Sequence, residues 1–365
     1  MNAQTQHEAT LHESKLEHDL SIQIQGKLGM IALDRVKHLN ALSLQMVQGI
    51  HQQLETWLEQ DQVQAVLIHS NSPKAFCAGG DIRYLYDSYQ TGEHDYRDYF
   101  AAEYAMLDYI RQYKKPIIVM LDGFVLGGGF GLAQACHIQI SSEKSRFAMP
   151  ETIIGFFPDV SATHFLSRLD EVGVYMALTG EQISSSDALY LDLLDYHVPS
   201  EQFLALQSAL SSAQKLSESH IREVIAGFIT DPAPRQLQAM AERVTKHFGF
   251  ATLNDIEQSL ADETHSNEVE WAQKTLHAIQ QRPKMAMQTS LKLQQIGQNL
   301  SLEKCMKLER DVQDIWLEQG DFIEGVRALL VDKDKNPQWK TDNTAFEKKL
   351  ATVLAVGQKQ QIEHI

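Results

Sequence analysis

The sequence lacks the features that mark several large classes of protein. Its 365 residues include three cysteines, with no CxxC pair, so neither a disulfide framework nor a zinc site is indicated. Basic residues are fewer than acidic ones, 32 against 48, and the net charge of −16 argues against a nucleic-acid partner, which would require a basic face. This cysteine usage favours a reducing cytoplasm, and we expect no bound metal.

Long apolar runs are also missing. No stretch approaches the roughly 20 apolar residues of a membrane-spanning helix, so we expect no membrane partner. Residues 1–20 contain several acidic side chains and no apolar segment, unlike a secretory signal or an Arg-rich transit peptide, and they predict a disordered lead-in. The composition, 43% hydrophobic and 22% charged, is otherwise that of a globular protein with a sizeable core.

The first part of the chain alternates between strands and helices. Residues 65–68 (AVLI) and 116–120 (PIIVM) are short apolar runs typical of buried strands. Each run is followed by a glycine-rich loop and then by a helical pattern. Strands that alternate with helices in this way predict an α/β core, which we place at residues 21–230.

The second part of the chain changes character. Strand-like runs vanish after about residue 200, and the prolines of residues 232–234 mark a boundary, because proline restricts its own backbone and that of its predecessor. Amphipathic spacing then predicts a helical region over residues 235–345. Residues 346–365 are rich in Lys and Gln and predict a weakly ordered tail.

Two glycine-rich loops are candidates for binding an oxygen atom of a ligand. Residues 78–81 (AGGD) and 127–129 (GGG) each precede a helix, where glycine lets the backbone approach a ligand and the first N–H groups lack partners. Neither loop fits the GxGxxG dinucleotide pattern or a P-loop. Together they could offer two N–H groups to one oxygen, as in an oxyanion hole. The alternative is a pair of ordinary turns, with Asp81 capping its helix.

Two carboxylates stand in an otherwise apolar stretch, residues 147–160 (FAMPETIIGFFPDV). A carboxylate among such neighbours is costly unless it is paired or used, and burial raises its pKa toward the range of a working base. Glu151 is therefore a candidate catalytic residue. The alternatives are a helix cap for Glu151 and a turn at Pro158 and Asp159.

These elements, in this order, resemble the crotonase (enoyl-CoA hydratase/isomerase) superfamily. The resemblance covers about residues 20–200, and it implies a spiral of ββα units followed by a C-terminal helical region. It implies an acyl-CoA substrate whose carbonyl oxygen accepts from the backbone N–H groups of Gly80 and Gly128. The matching segments are residues 75–81 (AFCAGGD), 127–129 (GGG) and 149–151 (MPE). The implied CoA contacts come from the backbone near four residues: Lys37, His38, Ala78 and Asp81.

One position separates hydration from hydrolysis. By the resemblance, hydratases use two Glu residues across the substrate, one of them two positions past the last glycine of the GGG loop. Here that position is Gly131, which has no side chain, and Glu151 alone remains. Addition of water to a C=C bond needs a positioned water and a proton donor, so the loss of one carboxylate argues against hydratase activity.

A closer resemblance, to the 3-hydroxyisobutyryl-CoA hydrolase family, extends over most of residues 20–340. It implies hydrolysis of a short β-hydroxyacyl-CoA thioester of valine catabolism, with Glu151 as the catalytic carboxylate, Asp159 as its polar partner and Glu103 as a substrate contact. Coenzyme A is part of that substrate, so no separate cofactor is implied. We expect the last matching segment to pack back over the site. The matching segments are residues 127–132, 147–160 and 321–339 (DFIEGVRALLVDKDKNPQW).

Several alternatives stay open from the sequence. Residues 161–165 read SATHF where the family has small glycines, so Ser161 and His164 can alter the acyl pocket and leave the acyl group undecided. Glu151 can activate a water or attack the carbonyl carbon itself. Glu103 can instead be an exposed helical residue. The rival functions are hydratase or isomerase chemistry at a C=C bond and non-catalytic acyl-CoA binding, and a homo-oligomer is possible.

Overall fold

The predicted α/β class is confirmed, and the described part of the lead-in differs from its prediction. Most of residues 1–20 lie outside the description, but Ser14–Leu16 forms a strand that pairs antiparallel with Leu20–Gln25. A computed structural model of the chain describes four ranges of residues: 14–16, 19–92, 95–341 and 343–362.

The strands of the described residues are short, and most are followed within a few residues by another strand or by a helix. They are β1 (Ser14–Leu16), β2 (Leu20–Gln25), β3 (Leu28–Leu33), β4 (Ala65–Ser70), β5 (Ala75–Cys77), β6 (Ile117–Leu121), β7 (Phe124–Leu126), β8 (Ile138–Ser141), β9 (Arg146–Ala148), β10 (Ile183–Ser184) and β11 (Tyr196–His197).

The helices occupy the connections and nearly all of the second half of the described chain. They are α1 (Leu44–Leu58), α2 (Ile82–Thr91), α3 (Asp95–Arg111), α4 (Gly128–Ala135), α5 (Ala162–Phe165), α6 (Asp170–Thr179), α7 (Ser185–Tyr190), α8 (Phe203–Ser212), α9 (Glu218–Ala226), α10 (Gln236–Phe248), α11 (Leu253–Ala261), α12 (Val269–Gln280), α13 (Lys284–Gly297), α14 (Leu302–Gln319), α15 (Phe322–Val326) and α16 (Thr344–Ile362).

Two sheets are built by successive ββα units. The larger sheet has the order β1-β2-β3-β4-β6-β8-β11, and the smaller has the order β10-β9-β7-β5. The pairs β4–β5, β6–β7 and β8–β9 each place one strand in each sheet before the chain continues into a helix, which is the predicted spiral. Strands β5, β7 and β9 are parallel neighbours, so the loops that follow them meet at one edge of the smaller sheet.

Alternating side chains of the larger sheet enter two hydrophobic cores. Ile31 and Ile68 belong to the larger core, whereas their neighbours Met30 and Leu67 face a smaller core that α8 and α9 close with residues such as Leu210. This is the two-residue period of a strand buried on both faces, and it explains why these strands read as continuous apolar runs.

The C-terminal helices share the larger core with the α/β units. Trp316 of α14 packs at 5.3 Å between ring centroids against Phe157, and at 5.1 Å against Phe346 of α16. Phe346, Leu350 and Leu354 are buried at a spacing of four residues, so α16 packs on the core where the sequence predicted a weakly ordered tail over residues 346–365. Residues 363–365 of that prediction lie outside the described residues. Within the described ranges, no helix combines the length and apolar character needed to cross a membrane.

Candidate active site

A cavity of about 450 Å³ lies where the loops after β5, β7 and β9 converge. The loops converge because these three strands are parallel neighbours, and the bridge between Leu42 and Gly80 fixes the first loop. All the site residues predicted from the sequence line this cavity. They are Lys37, His38, Ala78, Gly80, Asp81, Glu103, Gly128, Glu151 and Asp159.

The two glycine loops bring their backbones into contact. The amide nitrogen of Gly80 lies 3.3 Å from the position that a Cβ atom on Gly128 would take. Gly79 and Gly127, which precede these residues, have φ values of 108° and 49°, a left-handed backbone that glycine adopts without strain. Among the described residues neither the Gly80 nor the Gly128 amide has a hydrogen-bond acceptor, so both N–H groups are available to a ligand.

Glu151 follows β9 and begins a short 3-10 helix, Glu151–Ile154. Its side chain is 8% exposed, and Oε1 lies 2.6 Å from the position of a Cβ on Gly127. Oε2 has no hydrogen-bond partner among the residues described. Burial raises the pKa of Glu151 to about 8, and the nearby charges of Glu103 and Glu309 act in the same direction. A buried carboxyl with one unpartnered oxygen and this pKa has the properties of a general base or a nucleophile.

Glu103 is a second buried carboxyl in the cavity. It lies on α3, is 2% exposed and accepts a hydrogen bond of 3.2 Å from the hydroxyl of Tyr99, one turn earlier on the helix. Its Oε1 is 2.7 Å from the position of a Cβ on Gly128. Burial raises the pKa of Glu103 to about 7. The alternative of an exposed helical residue is therefore wrong.

Asp159 completes a group of three carboxyls that line the cavity. It is 5% exposed, and its Oδ2 accepts a hydrogen bond of 2.6 Å from Nε2 of Gln313 on α14. Burial raises the pKa of Asp159 well above its ordinary value, and the charges of Glu103 and Glu151 raise it further. Three neighbouring carboxyls therefore share fewer negative charges than three separate groups would carry.

The space beside Gly131 is filled by Val160. A Cβ on Gly131 would lie 2.5 Å from Cβ and Cγ2 of Val160 and 3.0 Å from its carbonyl oxygen. The position where the resemblance places a hydratase's other Glu therefore lacks both the side chain and the room for one. Glu151 has no partner acid from that side of the cavity.

The mouth of the cavity carries basic residues. Lys37 and His38 are exposed on a short 3-10 helix, Val36–His38. Asp81 pairs with Arg35 at 2.7 Å and also accepts from the backbone N–H of Tyr84 at 3.1 Å. The alternative interpretation of Asp81 as a helix cap is therefore confirmed, although the residue also lines the cavity.

Ser161 and His164 do not line the cavity, which removes the expected reason for an altered acyl pocket. The Ser161 hydroxyl accepts a hydrogen bond of 2.8 Å from Arg111, and its amide donates at 2.8 Å to Glu309. His164 is half-buried, and burial, with the charges of Arg168 and Arg111, lowers its pKa to about 4. A neutral imidazole outside the cavity does not contact a ligand bound inside it.

Part of the cavity wall comes from residues that the sequence did not point to. These residues are Tyr99, Phe100 and Arg35. Tyr99 could have been predicted, because it lies four residues before Glu103 and therefore on the same face of the helix. The expectation that residues 321–339 pack over the site is confirmed. The residues from this segment are Phe322, Leu329 and Leu330.

One cluster of metal-type ligands lies away from the cavity. Ligand atoms of His247, Glu263 and Glu268 are within 4.8 Å of one another, but the amine of Lys246 pairs with both carboxylates. His247 and Glu263 are also hydrogen-bonded to each other at 3.0 Å. The absence of a metal requirement stays a prediction.

The fold and the cavity define a known class of protein. The sequence model of the enoyl-CoA hydratase/isomerase family matches residues 28–351, and the chain belongs to this family. Among curated proteins, the chain is 34% identical over 341 residues to the mitochondrial 3-hydroxyisobutyryl-CoA hydrolase of Gallus gallus, covering 92% of this chain and 88% of that protein. It is 30% identical to the Homo sapiens protein of the same name, covering 88% and 84%.

Solved structures agree with the fold. An enoyl-CoA hydratase from Rhodobacter sphaeroides superposes with a TM-score of 0.82 at 32% identity, covering 92% of this chain and 97% of that one. A carnitinyl-CoA dehydratase from Mycobacterium thermoresistibile also gives a TM-score of 0.82, at 27% identity, covering 92% and 96%.

The curated relatives correct the predicted location. They are named as mitochondrial proteins, so the expectation of a cytoplasmic protein is wrong by this comparison. The expectation rested on cysteine usage and on the character of residues 1–20, neither of which distinguishes one reducing compartment from another.

Proposed function

We propose that this protein hydrolyses a short β-hydroxyacyl-CoA thioester, with 3-hydroxyisobutyryl-CoA as the substrate and 3-hydroxyisobutyrate and CoA as the products. The name shared by the curated relatives supports this substrate. The observation that carries the reaction type is the buried carboxyl of Glu151, whose Oε2 has no partner among the described residues, beside two backbone amides without acceptors. Val160 fills the place beside Gly131 where the resemblance puts a hydratase's other Glu. We propose no cofactor besides the CoA within the substrate.

The backbone amides of Gly80 and Gly128 bind the thioester oxygen. As water or a carboxylate adds to the carbonyl carbon, negative charge develops on that oxygen, and each N–H donor then contributes about 3 kcal/mol to stabilising it. The donors need no reorganisation during the reaction, because the glycine loops are fixed by β5 and β7.

Glu151 acts in its ionised form. It either removes a proton from the attacking water or attacks the carbonyl carbon to form an anhydride that water then cleaves. In both routes the C–S bond breaks and its electron pair leaves on sulfur. Since a thiol has a pKa of about 8.5, the thiolate departs without a strong acid beside it, and one carboxylate suffices.

The basic mouth of the cavity suits the anionic end of CoA. Lys37 carries a positive charge in the exposed 3-10 helix, and Arg83 is exposed on α2 at the same rim. The deep end is lined by Phe156, Ile154 and the carboxyls, which fits a small acyl group bearing one hydroxyl.

The proposal is tested with the purified protein and two substrates. We expect free thiol and 3-hydroxyisobutyrate to appear in equal amounts from 3-hydroxyisobutyryl-CoA, with no hydration of crotonyl-CoA. Loss of the crotonyl-CoA double bond at a comparable rate would instead establish a hydratase. Tight binding of both thioesters without turnover would establish the non-catalytic alternative.

The pH dependence of the reaction follows from the raised pKa of Glu151. Because the carboxylate is the active form and its pKa is about 8 in the empty cavity, kcat/KM is expected to rise with pH and to level off above that value. Initial rates of acid formation across the neutral and alkaline range measure this, after subtraction of the uncatalysed hydrolysis. Because the three carboxyls interact, the midpoint belongs to the group.

A second variant tests whether the midpoint of the pH profile reflects the ionisation of Glu151. Glu103→Gln removes a negative charge that raises the pKa of Glu151, so the midpoint is expected to move to lower pH. A kcat/KM that is flat across the range, or that falls as pH rises, contradicts the role of an ionised Glu151.

A further inference from the structure

Gln313 is a buried polar residue that no sequence signal associated with the site. It lies on α14, is 3% exposed, and donates from Nε2 to Oδ2 of Asp159 at 2.6 Å. The same nitrogen lies 3.4 Å from the hydroxyl oxygen of Tyr104. A helix far along the chain thus reaches a carboxyl that lines the cavity.

The position of Gln313 is fixed by a network on α14. Glu309, one turn earlier, accepts from the Tyr104 hydroxyl at 2.9 Å and from the backbone amides of Ser161 and Thr163, both at 2.8 Å. These bonds anchor α14 to the segment that follows Asp159. They also support the left-handed backbone there, where Ser161 has a φ of 78°.

The network determines which end of the Gln313 amide faces Asp159. The hydrogen of the Tyr104 hydroxyl is donated to Glu309, so toward Gln313 the Tyr104 oxygen can only accept. Gln313 must therefore present its NH₂ group, which has two hydrogens and no acceptor capacity. Oδ2 of Asp159 is consequently an acceptor, and a proton on this carboxyl is favoured on Oδ1, because the unprotonated oxygen is the stronger acceptor.

We propose that Gln313 is a positioning residue that keeps the proton of Asp159 on Oδ1, the oxygen without a hydrogen-bond partner in the described chain. The proposal rests on the thioester hydrolysis proposed above. In this arrangement Asp159 presents an O–H donor to the bound acyl group rather than a second negative charge. Of these two groups, Glu151 is then the one that acts in its ionised form, and Asp159 is the one that donates a hydrogen bond.

The charges around Asp159 support a neutral Asp159 beside an ionised Glu151. Glu103 and Glu151 both face Asp159 from the cavity side, and Glu309 lies behind it on α14, so a further negative charge at Asp159 is disfavoured. Burial and these charges raise the pKa of Asp159 well above its ordinary value, whereas the bond from Gln313 lowers it. Gln313 therefore orients a carboxyl whose neutral form is favoured by burial and by the neighbouring negative charges.

A double-mutant cycle separates positioning from packing. Gln313→Leu keeps the volume and removes the donor, and we expect kcat to fall about tenfold, with KM changed less than about twofold. In the Asp159→Asn background the same change is expected to have less than a twofold effect, because the group that Gln313 orients is gone. If the two losses multiply, or if Gln313→Leu retains full activity with an unaltered pH profile, the proposal is overturned.

Gln294→Leu is the matched control. Gln294 is 1% exposed on α13, does not line the cavity, and neither atom of its amide has a partner within the described chain. The same chemical change there is expected to leave kcat and its pH profile unaltered. Gln313→Glu serves where the Leu variant folds poorly. A loss of kcat that disappears in the Asp159→Asn background supports the proposal, and full activity opposes it.

A spectroscopic readout is independent of turnover. With ¹³C-labelled aspartate, the Asp159 carboxyl signal is identified by its absence in Asp159→Asn. We expect its titration to move to higher pH in Gln313→Leu, because a bond that favours the ionised form is lost. Unchanged titration overturns the proposal even in an active enzyme. A shifted titration in a protein that hydrolyses no thioester leaves the Asp159–Gln313 assignment standing and rejects the proposed function alone.

Discussion

Replacing Glu151 by Gln is expected to lower kcat at least about 100-fold while leaving KM nearly unchanged. The change keeps the size of the side chain but removes the charge that activates water or attacks the carbonyl. The amides of Gly80 and Gly128 remain, so the residual rate reports what they contribute without the carboxylate. Acid formation under saturating substrate measures kcat, and full activity in this variant would remove the proposed mechanism.

The same variant has a built-in control for folding. Burial raises the pKa of Glu151 from 4.5 to about 8, so unfolding releases a proton between these values, and the free energy of unfolding falls as pH rises through that window. Gln cannot ionise. At alkaline pH Glu151→Gln is therefore expected to be more stable than the parent by on the order of 5 kcal/mol, since the pKa is raised by about 3.5 units and each unit corresponds to about 1.4 kcal/mol. Reduced activity with increased stability cannot result from misfolding.

Placing a Glu at position 131 is expected to destabilise the protein by about 3 kcal/mol without creating a hydratase. Even the first atom of the new side chain would lie 2.5 Å from Cβ of Val160. The midpoint of urea unfolding measures the loss. Gly227→Ala is the matched control, because a Cβ there makes an ordinary contact, 3.5 Å from the carbonyl oxygen of Val224.

A second variant tests the cause of that loss. Val160 adopts a φ of 49°, which glycine tolerates better than a β-branched residue, so Val160→Gly opens the space without backbone strain. Most of the lost stability is expected to return in the double variant Gly131→Glu, Val160→Gly. If Gly131→Glu alone is as stable as the parent, steric exclusion by Val160 is not what keeps an acid from this position.

The site residues that could be predicted lie in segments whose local sequence is distinctive. Gly80, Gly128 and Glu151 each follow a short strand, and strands that are parallel neighbours place their following loops together. The resemblance predicted that the three segments form one site, and the parallel pairing of β5, β7 and β9 explains why they meet. Glu151 was conspicuous because a carboxylate among apolar residues needs a reason to be there.

The features that the sequence did not predict depend on contacts between distant parts of the chain. Gln313 and Asp159 are 154 positions apart, and nothing in the pattern of α14 distinguishes Gln313 from a residue on a solvated helix face. Glu103 was left ambiguous for the same reason. The α16 helix was misjudged because its Lys and Gln residues outweighed three apolar side chains at helical spacing, Phe346, Leu350 and Leu354.

The wall formed by Phe322, Leu329 and Leu330 has a consequence for the order in which the enzyme is made. The glycine loops and all three cavity carboxyls leave the ribosome long before these residues. Arg327, within the same late segment, pairs with Glu324 and Asp332. A partly synthesised chain can assemble its ββα units yet leave its reactive carboxyls open to bulk water. The enclosed cavity that shields the acyl group therefore forms only after residues 322–330 have been made.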